Sequence, residues 1–335
     1  MRWYNGGDSN CWVIEGPSTN RLRDKSAIGR PTEDGKLILS AGEILYCHHY
    51  RNIPLPSEDW FGSTILENTT LLAEYAIIEA LRVPGNKIVL SNNSDIFNVT
   101  SEPETWGIRW ESDKHPRNSE PIAEVRWFFS NQNLDTVDII EWSCKVSEKG
   151  RLAEVLVVDD ELSVVTYRVS RVDPRGTIDC DNVIDSLLAL NEGVSINQGR
   201  IYPIEDWSIP QVGIQVEGGI FVDSTTCALI DGEFEQEEVA ILTDILSRGL
   251  HPRPGFKYGT EWRCYDKTIG EEHAPYLITL PSRAPNDWAA TCLASRLASG
   301  VNKTWLIPVK ENDKWNYLAI TRPPANARWS NPRKR

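Results

Sequence analysis

Gly150-Arg-Leu-Ala-Glu-Val-Leu-Val-Val158 and Gly300-Val-Asn-Lys-Thr-Trp-Leu-Ile-Pro308 are the two stretches that decide how this chain is read. Each opens on a glycine that stops a helical pattern and runs on into an apolar strand. The offset of 150 residues also pairs Tyr167 with Tyr317 and Pro174 with Pro324. Upstream, the spacing predicts helices over 135–149 and 287–299. Downstream it predicts hairpins, one with strands at 152–158 and 163–172 around the turn Asp159-Asp160-Glu161, the other over 304–321. The same elements, stops and register occurring twice read as a tandem duplication of one unit. The fold class is therefore α/β (α+β). Each copy has an N-terminal α/β subdomain and a C-terminal mixed-sheet subdomain flanked by helices.

The expected boundaries are 1–174 for the first copy, with subdomains at 36–100 and 120–174. The second copy is expected at 175–335, with subdomains at 175–250 and 251–335. Residues 1–35 are polar and Gly-rich and read as an irregular lead-in, followed by a short strand at 36–39. Ser40 with Glu43 three residues later is a capping box, and it opens a helix through Ile44 and Leu45. A polar connection is expected at 52–68, a helix at 71–81 stopped by Pro84-Gly85, a loop at 100–120 and a strand at 125–129. In the second copy the pattern gives a helical stretch at 183–190 and strands at 212–216 and 220–222. A helix burying Val239, Leu242, Ile245 and Leu246 follows, ended by Gly249.

With 40% hydrophobic and 25% charged residues in 335, the composition is that of an ordinary globular protein. No apolar run is long enough for a membrane span, and Asp8, Asn10 and Glu15 interrupt any signal-peptide core, so a cytoplasmic protein is expected. Seven widely separated cysteines fit reduced thiols. The net charge of −13 conceals an asymmetry. Residues 251–335 hold 14 basic and 7 acidic residues, a net of +7 that includes the tail Arg333-Lys334-Arg335, and the rest of the chain nets −20. Local positive charge is what a polyanion requires, because phosphate contacts release condensed counterions.

Within the basic segment, Tyr265, His273 and Lys303 carry a phenol, an imidazole and an ammonium on mixed strand and helix. Together they suit metal-free RNA cleavage through the neighbouring 2′-hydroxyl, which needs a base, an acid and a fixed cation. Taken singly, each also reads as an ordinary core tyrosine, loop histidine or surface lysine. No P-loop, no GxGxxG and no metal-ligand spacing occurs, and neither cofactor nor metal is expected. At the matched offsets the first copy holds Pro121, Val146 and Ala153 opposite His273, Arg296 and Lys303, as a copy drifting into a structural role would.

Gly255-Phe-Lys-Tyr-Gly-Thr-Glu-Trp-Arg-Cys-Tyr265, the His273-Ala-Pro-Tyr-Leu-Ile block and the helix before Lys303 resemble the archaeal tRNA-intron (splicing) endonucleases. The lead-in Arg21-Leu-Arg-Asp-Lys-Ser-Ala-Ile-Gly-Arg-Pro31 is more weakly similar to the start of the double-length homodimeric form. The resemblance implies Tyr265 as general base, His273 as general acid and Lys303 as transition-state stabiliser, with 251–335 as the catalytic nuclease subdomain. It implies precursor tRNA carrying a bulge–helix–bulge as substrate, and 2′,3′-cyclic phosphate and 5′-hydroxyl ends as products. It also implies Arg296 and Arg322 as a pair sandwiching a bulge base, and Asp159, Asp160 and Glu161 as a loop docking into a second subunit of a homodimer. The alternative from the same resemblance is a non-catalytic RNA-binding or structural subunit of such an assembly.

Overall fold

The computed structural model describes residues 1–5, 11–270 and 272–332, a mixed α/β protein. Asp8, Asn10 and the basic tail Arg333-Lys334-Arg335 lie outside the described residues. The chain divides into two units. The first gathers Met1–Ser170, Asp287–Ala290 and Arg322–Arg335, the second Arg171–Asn286 and Thr291–Thr321. Among the described residues no helix is long and apolar enough to cross a membrane.

In the first unit, β1 (Arg2–Asn5), β2 (Cys11–Glu15), β3 (Arg30–Pro31) and β4 (Leu37–Ser40) form an antiparallel sheet in the order β1-β2-β4-β3, with α1 (Thr19–Ser26) between β2 and β3. The lead-in is therefore not irregular. Its order comes from a non-local pairing, Cys11 with Ser40 through Ile14 with Leu37, which leaves no periodic trace in a short strand. α2 (Ala41–Arg51) starts as the capping box predicts. Ser40 Oγ accepts from the Glu43 amide at 3.3 Å, and Glu43 Oε2 accepts from the Ser40 amide at 3.1 Å. The expected connection at 52–68 contains α3 (Trp60–Glu67), ordered by burial of Trp60 in the core that also holds Ile44, Leu71 and Tyr75. α4 (Leu71–Arg82) follows.

The rest of this unit is a sheet in the order β5-β6-β7-β8-β9: β5 (Lys87–Leu90), β6 (Gly107–Trp110), β7 (Ala123–Phe129), β8 (Leu152–Val158) and β9 (Val164–Val172). α5 (Thr136–Glu148) connects β7 to β8, which pair in parallel, and the other neighbours are antiparallel. The loop expected at 100–120 thus holds a strand. All four residues of β6 are buried, so it shows no alternation. Residues 322–335 were expected with the second copy. Instead Trp329 O accepts from Thr166 Oγ1 at 2.7 Å, and Asn331 bonds Val164 and Leu162.

The second unit begins with α6 (Val183–Leu188) and a sheet in the order β10-β11-β13-β12: β10 (Val194–Ile196), β11 (Gly199–Tyr202), β12 (Ile214–Val216) and β13 (Gly219–Asp223). α7 (Ser224–Ile230) and α8 (Glu237–Ser247) follow. Next come β14 (His251–Pro254), β15 (Trp262–Tyr265), β16 (Tyr276–Ile278), α9 (Trp288–Gly300), β17 (Thr304–Glu311) and β18 (Lys314–Thr321), with strand order β14-β15-β16-β17-β18. Here β16 and β17 are the parallel pair. Val239, Leu242, Ile245 and Leu246 of α8 are buried with Trp262, Cys264, Ile278 and Tyr317. Alternation along β15 then turns Arg263 and Tyr265 to the opposite face.

The two helix ends fix the correspondence between the units. After α5, the Gly150 amide donates to Ser147 O and the Arg151 amide to Val146 O; after α9, Asn302 donates to Ser299 O and Lys303 to Ala298 O. Gly150 and Asn302 both hold left-handed backbone, at φ +71° and +53°, a conformation glycine and asparagine accept most readily. Gly150 thus matches Asn302 rather than Gly300. The residue in Lys303's place is Arg151, correcting the expected Ala153, and Val146 stands opposite Ala298 rather than Arg296.

Candidate active site

β15 runs antiparallel to β16, and β16 runs parallel to β17, with Cys264 beside Tyr276 and Tyr276 beside Thr304. The C-terminal end of β15 and the N-terminal ends of β16 and β17 therefore share one edge. Tyr265 closes β15, His273 lies three residues before β16, and Lys303 immediately precedes β17. Lys303 is held by its backbone bond to Ala298 and by the Thr304 amide, which donates to Pro275 O at 2.8 Å. Its ammonium donates to the carbonyl of Ala274, the residue after His273. It also lies 5.6 Å from the ring centroid of Tyr258. Ala274 is buried while His273 and Arg296 are exposed, and Tyr265 and Lys303 are half-buried. An exposed imidazole, a partly exposed phenol and an anchored ammonium thus gather at one strand edge.

The loop from Tyr265 to His273 is tied at both ends. Asp266 O accepts from the Thr177 amide at 2.8 Å, and Lys267 Nζ lies 2.5 Å from Glu272 Oε1. Behind Tyr265 sits His251, its partner in the β14–β15 register, with ring centroids 6.2 Å apart. The Arg263 guanidinium is 5.8 Å from the Tyr265 ring. Motif reading missed His251, Tyr258 and Arg263. Tyr258 and Arg263 carried a signal, lying in the block from Gly255 to Tyr265, whereas His251 lies outside it.

His251 is buried, and its Nε2 has no hydrogen-bond partner. Burial, and then the neighbouring charge of Arg253, pull its pKa down to about 4. In the unfolded chain a histidine takes its proton near pH ~6.5, so between that pH and about 4 the unfolded state binds more protons than the fold. Stability is present above this window and is lost as pH falls through it. A His251→Phe chain should show a flatter dependence of its urea midpoint between pH 7 and 4 than wild type; identical slopes would refute the assignment. Cys264 is no nucleophile, since complete burial raises its thiol pKa.

At the same edge of the first unit, Trp110 closes β6 opposite Lys87, as Tyr265 closes β15 opposite His251. The Leu152 amide donates to Ile122 O as Thr304 donates to Pro275 O, which puts Glu120 where His273 stands and corrects the expected Pro121. The first unit keeps a cation, but Arg151 donates to Glu124 Oε1 and Thr100 O at 2.7 Å each, and Glu124 is fully buried. In β16 the place of Glu124 is taken by Leu277. The cation of the first unit is neutralised by a carboxylate, whereas Lys303 bonds a neutral carbonyl.

Arg296 lies on α9, whose Ser295 Oγ donates to Ile320 O of β18 at 2.6 Å. Arg322 is exposed, one residue beyond β18, and groups with the first unit. Asp159, Asp160 and Glu161 form an exposed turn. Asp159 Oδ1 accepts from the amides of Glu161 and Ser163, at 3.0 and 2.8 Å, leaving Asp160 and Glu161 to present charge.

A phenol, an imidazole and an ammonium at one edge suit RNA cleavage, and comparison with known proteins points the same way. Residues 236–317 match the family model of the tRNA intron endonuclease, catalytic C-terminal domain, a span that contains Tyr265, His273, Arg296 and Lys303 but not Arg322. A tRNA-splicing endonuclease of Thermoplasma volcanium is 24% identical over 315 residues, covering 92% of this chain and 94% of the relative. That of Picrophilus torridus is 26% identical over 170 residues, 50% of this chain and 55% of the relative. That of Methanococcoides burtonii is 30% identical over 97 residues, 28% and 27% of the two chains. The family match and these relatives support an archaeal-type tRNA-splicing endonuclease, and the chain is an endoribonuclease.

Proposed function

We propose that this chain excises introns from precursor tRNA by cutting at bulge–helix–bulge junctions, without a metal ion. The observation that carries the reading is the bond from the Lys303 ammonium to Ala274 O, beside His273, at the edge where Tyr265 ends its strand. Tyr265 takes the proton of the 2′-hydroxyl at the junction, and the freed oxygen attacks the adjacent phosphorus. The bond from phosphorus to the 5′-oxygen breaks as His273 protonates that oxygen. Lys303 neutralises the charge that builds on the non-bridging oxygens in between. The products are a 2′,3′-cyclic phosphate and a 5′-hydroxyl; phosphorus gains the bond to the 2′-oxygen and loses the bond to the 5′-oxygen, passing through a five-coordinate phosphorane and ending bonded to four oxygens.

In this reading Arg296 and Arg322 stack on a base flipped from the bulge. Asp160 and Glu161 dock into a second copy of the chain. The first unit is a degenerate duplicate, and the shared strand orders β1-β2-β4-β3 and β10-β11-β13-β12 support that origin. The test is cleavage of a bulge–helix–bulge RNA in EDTA, with mapping of the ends. Full activity and cyclic-phosphate ends are expected. Loss of cleavage in EDTA, or 5′-phosphate ends, would overturn the proposal.

A further inference from the structure

A second basic surface lies in the N-terminal part of the first unit. Arg21 and Lys25, one turn apart on α1, and Arg51, the last residue of α2, line a cavity of about 390 Å³ together with Tyr50 and Asn52. Among the described residues lining it there is no carboxylate. That is contrary to composition, since the chain up to residue 250 nets −20. Asp24, the acidic residue of α1, is bound by Arg23 at 2.8 Å and Arg117 at 2.6 Å. Complementing a helix dipole accounts for Lys25 and Arg51, which sit in last turns, but not for Arg21 in the first turn of α1.

Tyr50 adds an aromatic face to the charge. It is 36% exposed, yet its ring stacks on Tyr46 at 5.1 Å and its hydroxyl donates to Glu79 Oε1 at 2.7 Å, so its position is fixed. The Arg51 guanidinium is likewise set, 5.4 Å from the Tyr46 ring. Cations beside a fixed, partly exposed ring are what an RNA strand uses, phosphates on the cations and a base or ribose on the ring.

We infer that this cavity is a second RNA-binding site that grips the phosphodiester backbone of the substrate away from the scissile bond. The inference rests on the reading that the chain acts on RNA. It assigns the first unit a role in binding, beyond that of scaffold.

The test uses the full chain with His273→Ala in the background to stop cleavage, and measures binding of a bulge–helix–bulge RNA across a salt series. Removing all three cations (Arg21→Ala, Lys25→Ala and Arg51→Ala) should weaken binding about 10- to 100-fold at ~0.1 M salt. It should also reduce the slope of log affinity against log salt by about 2 to 3. Arg21→Lys with Arg51→Lys should restore the slope, and the rate at saturating RNA in the His273-intact chain should not change. An unchanged slope in a triple variant that melts like wild type overturns the inference while leaving the cleavage reading intact. Equal weakening by millimolar inorganic phosphate of wild type and triple variant alike also overturns it. A parent chain that neither binds nor cuts RNA overturns both.

Discussion

A Lys303→Ala chain is expected to bind the bulged RNA nearly as tightly as wild type and to cleave it about 10²- to 10³-fold more slowly in single turnover. The charge matters most when a second negative charge develops on the two non-bridging oxygens, so the loss should fall on the rate at saturating RNA rather than on affinity. Lys303 suits the role because its ammonium is anchored through a carbonyl and brings its full charge to the edge. Arg151 in the first unit, bonded to buried Glu124, does not. His273→Ala should cost about 10²- to 10⁴-fold and remove one limb of the pH–rate profile. Wild-type rates in either variant would sink the assignment of this edge. A loss confined to affinity would make Lys303 a binding residue instead.

How much of this was legible in the sequence depended on how local each signal was. The capping box at Ser40, the buried face of α8 and the hairpin over 304–321 are written in neighbouring residues, and the structure contains each of them. β2 and β6 escaped because they are short and ordered by distant partners. Tyr265, His273 and Lys303 could be picked out from motif blocks, but not the reason they share an edge. That reason is the antiparallel–parallel sequence of β15, β16 and β17. The offset of 150 misled because it equated two glycines; the backbone state after the helix is what corresponds, and Asn302 adopts it as readily as Gly150. With the register corrected, the matching edge of the first unit is more informative than a set of blank positions: it carries a cation, Arg151, bonded to the buried carboxylate of Glu124.

The second large effect concerns stability, and it separates scaffold from site. Arg109 on β6 and Glu154 on β8 form a two-pronged ion pair, with Nε and Nη2 each 2.7 Å from a carboxylate oxygen, at 3% and 0% side-chain exposure. Arg109 also donates to Asn86 Oδ1 at 3.2 Å and lies 4.9 Å from the ring of Trp329. Glu154→Leu alone strands a buried guanidinium, which costs about 3 to 5 kcal/mol, and Arg109→Leu alone strands the carboxylate. The double change Arg109→Leu with Glu154→Leu removes both charges and should cost far less than the sum of the single changes, because desolvation offsets much of a buried pair's attraction. Urea midpoints of the four chains measure this coupling; additive losses would show that the pair does not act as a unit. Below the melting transition, the rate of cleavage at saturating RNA should be the same in all four. The pair belongs to the first unit, and Tyr265, His273 and Lys303 belong to the second. A fall in that rate without unfolding would mean that the first unit shapes the chemistry itself.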